Sequence, residues 1–406
     1  MSEPSSQPSR QSKTRLVKAA EIGLIGASIS FSLLALLSID WLYSKQQKRD
    51  PFSLPAPTSN GRGLYISKPS GWYELNPNYN GEDRYGSFLI RVKTDSQGFR
   101  TPIHRTESIK RSTHQGSNPT LLFLGDSFTY GVGTDWEQSF VGQIAKRYNG
   151  TVINGGVVSH SPTPHLYRLK HLLDKGSLPA GTIVIMAVDI SDVQDEASRW
   201  VQTSAEPFER NTKTASAIVN RQGAAAQAMS SERQTSPFFS PRNFQLTHRI
   251  YFGLEALYKK LFDHWQIRNS ERSAFTHRPW SELDSRYQPL GVKGGLFQLQ
   301  MQIKKAAQLS KAFNHPFWIL IYPWPAQLAY ADRFSWEQFI QNSCEPGVCS
   351  GVINAFPVFR NKVGSNRMGA HWQQQLYLEG DMHFSAAGNA LIAEAVLQRL
   401  QPKASP

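Results

Sequence analysis

A serine with the surroundings of a nucleophile lies in Gly-Asp-Ser-Phe-Thr-Tyr-Gly, at residues 125–131. The apolar run 120–124 just before it has the length and composition of a buried strand. A serine on a sharp strand-to-helix turn exposes its hydroxyl at the carboxyl edge of a sheet, where backbone N–H groups can face a developing oxyanion. Ser127 is therefore a candidate nucleophile. The alternative is a buried turn in which Asp126 and Ser127 only cap a helix.

A base for this serine, His383, is available 256 residues later, in Gly-Asp-Met-His-Phe-Ser at residues 380–385. A serine hydroxyl is a poor nucleophile unless a base takes its proton, and the base needs a third group to orient it. Asp381 and His383 stand just before a predicted C-terminal helix, 386–400, whose apolar residues recur at helical spacing. Alone, such a pair before a helix is more often a helix cap beside an exposed histidine. Combined with the first block, it predicts nucleophilic chemistry.

Together the two blocks resemble those of the SGNH/GDSL hydrolase superfamily. The family's first block, Gly-Asp-Ser-x-Thr-x-Gly, matches residues 125–131 at each fixed position, and its last block places Asp and His on one loop near the C-terminus. The resemblance covers residues 119–400, with an insertion at about 200–290. It implies a three-layer, flavodoxin-like α/β fold with a parallel sheet. It also implies that Ser127, His383 and Asp381 act on acyl esters, without a cofactor or a metal.

The chain departs from the family pattern at three places. The common last-block spacing is Asp-x-x-His, whereas this chain has Asp-x-His, a variant associated with SGNH proteins of exopolysaccharide acetylation. The family's second-block glycine falls on Ser159, which still supplies a backbone N–H to an oxyanion hole shared with Ser127. The third-block asparagine falls on Asp189. A carboxylate there repels an oxyanion unless it is protonated or turned away.

Alternating apolar runs and helical patterns predict a doubly wound parallel sheet. In such a sheet Ser127, Ser159 and Asp189 each follow a strand at its carboxyl end, where ligands bind. The predicted strands are 120–124, 151–153, 182–188, 317–322 and 354–359, and the predicted helices are 136–148, 162–175, 297–313 and 386–400. Pro323 and Pro325 end the fourth strand and leave Trp324 exposed between them.

Three further carboxylates, Asp192, Asp195 and Glu196, follow the third strand. They can cap a helix or contribute to a divalent-cation site. Because no complete ligand set is visible, the sequence favours helix capping, and we predict no metal site.

A run of 21 residues near the N-terminus, 22–42, contains a single acid, Asp40, and is long enough to cross a bilayer as a helix. Trp41 and Tyr43 stand where an aromatic belt would lie. No small-residue cleavage pattern precedes Lys45, which favours an uncleaved anchor over a signal peptide. The sequence thus predicts a basic cytoplasmic tail (1–21), the anchor, a linker (43–62) and an extension of short strands (63–118). The Gly-Phe-Arg stretch at 98–100 is expected to pack on the domain, with at most a minor part in the cleft.

Two cysteines, Cys344 and Cys349, flank a Pro-Gly turn that can bring their side chains within bridging distance. A local disulfide fits an oxidising compartment, and two free thiols are the alternative. No histidine pair is nearby, which argues against zinc.

The charges on the two sides of the anchor are nearly balanced, so they do not set its orientation. The expected disulfide does, because it needs an oxidising compartment. We therefore predict a single-pass protein of the inner membrane, with the domain on the periplasmic side.

The formal charge of +13 is concentrated in residues 197–311, which contain 17 Lys and Arg against 8 Asp and Glu. Such a surface can attract anionic glycans or lipid headgroups, although a merely solvated surface is equally compatible. No basic motif interleaved with aromatic residues indicates nucleic acid.

Residues 202–242 have the composition of a mobile segment. Residues 249–267 form an amphipathic pattern that suits a lid, a membrane-surface helix or simply a helix covering the domain.

The sequence therefore predicts a membrane-anchored serine esterase acting on acyl esters, with acetylated glycans as the expected substrate. An O-acyltransferase would use the same acyl-enzyme. A non-catalytic glycan-binding or assembly component is the alternative from another class, favoured by Asp189 and opposed by the intact Ser127, Asp381 and His383. The pattern indicates no oligomeric state.

Overall fold

A computed structural model describes most of the chain. The described ranges are 10–46, 63–68, 72–85, 88–103, 118–200, 272–365, 367–368 and 370–400, with Thr247, Ile250 and Leu254. Most of the predicted linker 43–62, the segment 202–242 and all but two residues of the predicted helix 249–267 lie outside these ranges.

Ten strands are described, eight of which form one sheet in the order β10-β9-β8-β6-β7-β5-β4-β3. Their bounds are β1 (Tyr65–Ser67), β2 (Tyr73–Leu75), β3 (Asn80–Tyr85), β4 (Phe88–Thr94), β5 (Arg100–Thr101), β6 (Leu121–Gly125), β7 (Val152–Gly156), β8 (Ile183–Val188), β9 (Phe317–Ile321) and β10 (Gly351–Asn354). Strands β6 to β10 run parallel. Numbered along the chain, these five stand in the order 2-1-3-4-5, which is the flavodoxin-like doubly wound arrangement. The predicted fold class is confirmed.

Strand β6 lies in the middle of this sheet, and its five residues are all buried. It pairs with β7 on one side and β8 on the other, with Leu122 opposite Ile153 and Val184. A strand covered on both faces needs apolar side chains at every position, which explains its unbroken apolar run.

Helices cover both faces of the parallel strands. The described α-helices are α1 (Arg10–Gln46), α2 (Ser127–Tyr130), α3 (Phe140–Arg147), α4 (Pro162–Asp174), α5 (Asp192–Gln194), α6 (Gly291–Ala312), α7 (Pro325–Ala329), α8 (Trp336–Ser343), α9 (Phe356–Val363), α10 (Ala370–Leu376) and α11 (Ala386–Leu400). Helix α3 packs against α11 in one layer, and α4 packs against α6 in the other.

The last strand differs from the prediction. We expected 354–359 to be a strand, but β10 ends at Asn354 and α9 begins at Phe356. Pro357 explains the change because its ring lacks the N–H that a strand ladder needs and fits the first turn of a helix. The Asn354 side chain accepts a hydrogen bond from the Phe356 N–H (2.9 Å), which turns the chain into the helix.

Residues 63–103, here called the N-terminal module, contribute three strands to the central sheet, while β1 and β2 pair with each other in a separate two-stranded sheet. Strands β3, β4 and β5 run antiparallel to one another, and β5 pairs antiparallel with β7 through Arg100 and Asn154. A second cluster of buried side chains joins Tyr73 and Leu75 of the module to Tyr130 and Val157 beside the parallel strands. The module therefore packs directly against the edge of the sheet at which β6 and β7 end.

Helix α1 belongs to a separate compact unit together with Thr247, Ile250 and Leu254. Within it, residues Gly26–Tyr43 are long and apolar enough to cross a membrane, judged by length and composition. The Asp40 side chain is buried and accepts a hydrogen bond from the Thr247 backbone N–H (2.6 Å).

The predicted disulfide is confirmed. Cys344 and Cys349 are bonded, with an S–S distance of 1.98 Å and a Cα–Cα distance of 5.2 Å.

Candidate active site

The nucleophile candidate stands on the turn that joins β6 to α2. Asp126 caps this short helix, because its Oδ1 accepts a hydrogen bond from the Phe128 N–H (2.9 Å). The same oxygen also accepts a hydrogen bond from the Tyr322 hydroxyl (3.2 Å), which holds the carboxylate in place. Gly156, at the end of β7, lets α2 approach the sheet closely, since a Cβ there would overlap the Tyr130 backbone nitrogen. The turn therefore holds the Ser127 side chain at the carboxyl edge of the sheet.

Ser127, His383 and Asp381 form a continuous hydrogen-bonded chain. The Ser127 Oγ lies 2.8 Å from His383 Nε2, and His383 Nδ1 lies 2.5 Å from Asp381 Oδ1. With the Nδ1 proton donated to the carboxylate, Nε2 is left to accept the serine proton. The structure thus brings these three predicted residues together in the order that nucleophilic catalysis requires.

The loop carrying Asp381 and His383 is closed by its own backbone. The Leu378 N–H donates to the His383 carbonyl (2.8 Å), and the Asp381 N–H donates to the Leu378 carbonyl (3.0 Å). The His383 N–H also donates to Asp381 Oδ1 (2.8 Å). Because the loop is fixed at both residues, the Asp-x-His spacing suffices to place the carboxylate beside the imidazole.

Two aromatic rings hold the imidazole plane. The Phe128 ring lies 4.7 Å from the His383 ring, and the Tyr85 ring meets it edge-on at 5.1 Å and 83°. His383 itself is buried. The ring therefore has little freedom to rotate away from Ser127.

Asp381 remains ionised over a wide pH range. Burial acts to raise the pKa of Asp381, but the charge of His383 and hydrogen bonds from His383 and Tyr85 outweigh it and lower the pKa to about 2. The Tyr85 hydroxyl donates to Asp381 Oδ2 (2.9 Å). Sequence reasoning missed Tyr85, which lies 296 residues from Asp381 in a strand of ordinary composition.

Ser159 takes a backbone conformation that glycine favours, with φ at +60°. This supports the alignment of the family's second-block glycine with this position. The Tyr73 hydroxyl donates to the Val158 carbonyl (2.7 Å), and the His160 N–H donates to the Val157 carbonyl (3.1 Å), so the turn is held on both sides of Ser159. Within the described ranges, the backbone N–H groups of Ser127 and Ser159 have no hydrogen-bond acceptor.

Asp189 follows β8 at the same sheet edge, but both oxygens of its side chain accept hydrogen bonds from other residues. Its Oδ1 accepts from the backbone N–H and the hydroxyl of Ser191, each at 2.7 Å, and its Oδ2 accepts from the Trp324 indole N–H at 3.0 Å. Asp189 therefore offers no donor to an oxyanion. Trp324, which we expected to be exposed, is only 3% exposed because its indole N–H pairs with this carboxylate.

Asp189 belongs to a set of buried carboxyls behind the nucleophile turn. Burial is the main cause that raises the pKa of Asp126, Asp189 and Asp192, and the charge of Asp189 raises the pKa of the other two further. Two guanidinium groups, those of Arg199 and Arg272, lie nearby, each 3.1 Å from Asp195. Among the described residues, no group of three or more His, Cys, Asp and Glu side chains is arranged to hold a metal ion.

The Gly-Phe-Arg stretch packs on the domain as expected, and it does so at the nucleophile turn. The buried Arg100 guanidinium donates to the carbonyls of Tyr130 (2.5 Å), Gly131 (3.0 Å) and Thr134 (2.8 Å). These carbonyls belong to the end of α2 and the loop after it. Arg100 thus ties the N-terminal module to the nucleophile turn.

A scan against protein-family models finds no match, and neither does a search of curated proteins. Solved structures match at low identity. TesA is 16% identical with a TM-score of 0.35, and the match covers 70% of this chain and 98% of TesA. A lipolytic protein of the G-D-S-L family from Veillonella parvula is 11% identical with a TM-score of 0.35, covering 69% of this chain and 97% of that one. A catalytic mutant of Axe2, an acetylxylan esterase from Geobacillus stearothermophilus, is 12% identical with a TM-score of 0.38, covering 71% of this chain and 97% of that one.

Proposed function

We propose that this chain is a serine esterase of the SGNH/GDSL type, with Ser127 as nucleophile, His383 as general base and Asp381 as the carboxylate that orients the base. The observation that carries the proposal is the chain of contacts from Ser127 Oγ to His383 Nε2 (2.8 Å) and from His383 Nδ1 to Asp381 (2.5 Å). A serine that only caps a helix has no need of an imidazole oriented in this way.

The reaction follows from these positions. Ser127 Oγ attacks the ester carbonyl while its proton passes to His383 Nε2, and the resulting imidazolium is stabilised by Asp381. His383 then delivers the proton to the leaving alcohol as the carbonyl–oxygen bond breaks, which leaves an acyl group on Ser127. A water molecule then gives a proton to His383 and attacks the acyl carbon. As the bond from the acyl carbon to Ser127 Oγ breaks, His383 returns this proton to Oγ, which releases the acid and restores Ser127.

Backbone N–H groups of Ser127 and Ser159 are the proposed donors to the oxyanion. Both are free of intramolecular acceptors among the described residues, and both follow neighbouring parallel strands whose ends are in register, Gly125 opposite Gly156. Asp189, at the position of the family asparagine, is proposed to act in structure and not in charge stabilisation, because both of its oxygens already accept hydrogen bonds.

A small acetyl ester and a fluorophosphonate probe test the chemistry. We expect the probe to modify Ser127 alone, and Ser127→Ala and His383→Ala each to lower kcat by three orders of magnitude or more. The double variant should be no worse than either single one, because residues that act as a unit are not additive. Ser350→Ala is a matched control, since this exposed serine lies outside the site. Wild-type turnover in folded Ser127→Ala would contradict the proposal.

We further propose that 22–42 anchors the chain in the inner membrane with the esterase domain on the periplasmic side. The apolar stretch Gly26–Tyr43 and the disulfide support this placement. Acetyl esters of a glycan are the proposed substrate, on the sequence resemblance. Protease added to spheroplasts should digest the domain, whereas complete protection would reverse the topology. A soluble product without the first forty or so residues would indicate a cleaved signal peptide instead.

A further inference from the structure

The Asp381 carboxylate has one oxygen facing the base and one facing the N-terminal module. Its Oδ1 accepts hydrogen bonds from both Nδ1 and the backbone N–H of His383. Its Oδ2 accepts from the Tyr85 hydroxyl at 2.9 Å, and no other donor to this oxygen occurs among the described residues. A carboxylate held at both oxygens cannot turn about its Cβ–Cγ bond without losing one of these contacts.

We propose that Tyr85 is a positioning residue of the catalytic centre, which fixes Asp381 Oδ2 with its hydroxyl and the His383 ring with its edge. This inference rests on the proposed esterase function. The contacts described for Tyr85 in the site are with Asp381 and His383, so it acts on the reaction through the two residues that hold and move the proton. The N-terminal module therefore contributes a residue, Tyr85, to the catalytic centre.

The hydroxyl stays protonated under all ordinary conditions. Burial raises the pKa of Tyr85, and the charge of Asp381 and the hydrogen bond to it raise the pKa further. Tyr85 is therefore a permanent donor, and the proton it shares with Asp381 takes no part in the transfer between Ser127 and His383.

The strand that carries Tyr85 is tied to the nucleophile turn. Asp83, two residues earlier on β3 and hence on the same face, accepts a hydrogen bond from the Tyr130 hydroxyl (2.8 Å). Tyr130 is the last residue of α2, which begins at Ser127. One strand thus contacts the nucleophile helix through Asp83 and the acid–base pair through Tyr85, which couples the two halves of the site.

The test uses the full-length protein in detergent with p-nitrophenyl acetate, and fluorophosphonate titration to count functional sites. Tyr85→Phe keeps the ring and removes only the hydroxyl. We expect kcat per titrated site to fall about tenfold, the order of losing one hydrogen bond to a charged group, with KM within about twofold of wild type. Tyr79→Phe is the matched control, because its hydroxyl donates to the Glu82 carbonyl (2.9 Å) in the same module and does not touch the site. It should leave kcat unchanged.

A double-variant cycle separates positioning from general loosening of the fold. If Tyr85 acts through the carboxylate, Tyr85→Phe should cost less than about twofold when added to Asp381→Ala. A full tenfold loss in that background, or a kcat loss from Tyr79→Phe as large as that from Tyr85→Phe, would overturn the inference. So would wild-type kcat in Tyr85→Phe while Ser127→Ala is inactive, an outcome that leaves the esterase proposal standing. Wild-type turnover in Ser127→Ala would remove both proposals.

Discussion

Replacing Arg100 with methionine should loosen the attachment of the N-terminal module to the nucleophile turn. The guanidinium is 1% exposed and donates to three backbone carbonyls, those of Tyr130, Gly131 and Thr134. Its face also lies 4.9 Å from the Tyr130 ring centroid. Methionine fills part of the same space but donates no hydrogen bond, so the variant removes the polar contacts while keeping most of the packing.

The expected loss follows from these contacts. Without the guanidinium, the carbonyls of Tyr130 and Thr134 lose the donor described for each of them, whereas the Gly131 carbonyl still accepts from the Thr134 N–H (3.2 Å) and hydroxyl (3.0 Å). A buried carbonyl left without a donor costs about 1–3 kcal/mol, so two of them give a loss of about 2–4 kcal/mol in the free energy of unfolding. The half-buried Asp83 adds to this: burial raises the pKa of Asp83, and the charge of Arg100 is one of the effects that oppose the rise. For a domain of this size, such a loss lowers Tm by roughly 10 °C.

Thermal unfolding followed by circular dichroism measures the effect in detergent-solubilised protein. Arg360→Met is the matched control, because Arg360 is 42% exposed and pairs with Glu337 at the surface, where the expected change is under about 1 kcal/mol. Arg100→Lys should be intermediate, since a single ammonium group cannot reach three carbonyls in a fork. A Tm within about 2 °C of wild type for Arg100→Met would refute the reasoning, because it would mean that the carbonyls of Tyr130 and Thr134 find other donors at no cost.

Three further changes test separate parts of the structure. Asp189→Asn should lower the free energy of unfolding by about 1–3 kcal/mol in urea titrations, because an amide cannot accept from all three donors that the carboxylate now serves; unchanged stability would contradict the contacts described. Replacing Cys344 and Cys349 by serine should cost about 2 kcal/mol, the value for closing so short a loop, and native protein should show no alkylatable thiol before reduction. Asp381 has a pKa of about 2 in the fold against an ordinary 3.8, so its ionised form contributes about 2 kcal/mol of stability above pH 4, which is lost as the pH falls through 2. Asp381→Asn should therefore flatten the dependence of Tm on pH across that interval, and an unchanged slope would show that other carboxyls account for it.

The parallel sheet could be predicted because its signal is local. Strands β6, β8 and β9 are short apolar runs with glycine, aspartate or proline at or just after their ends, and burial on both faces favours that pattern. Ser127, Asp381 and His383 could be found for a related reason, since their residue types and short blocks are specific. The last strand was misplaced because the apolar residues after Asn354 fit the buried face of a helix as well as a strand, and Pro357 decided between them.

Contacts between distant segments could not be predicted. Tyr85 meets Asp381 only because β3 joins the sheet through β4, β5 and β7, and nothing in the local pattern sets that order. Trp324 shows the same limit. Two flanking prolines suggested an exposed loop, whereas an indole N–H that finds the Asp189 carboxylate can be buried without leaving a polar group unpaired.

The replacement of the family asparagine by Asp189 changes what the rest of the site has to supply. An asparagine can donate to an oxyanion, but this carboxylate holds Trp324 and Ser191, so on our proposal the stabilising donors are backbone N–H groups alone. Backbone donors are effective only when the turns that carry them are rigid. The N-terminal module contacts each of those turns, through Arg100 at the nucleophile turn and through Tyr73 at the turn of Ser159. On this proposal, the N-terminal module compensates for the missing side-chain donor, because it holds in place the two turns that carry the backbone N–H groups.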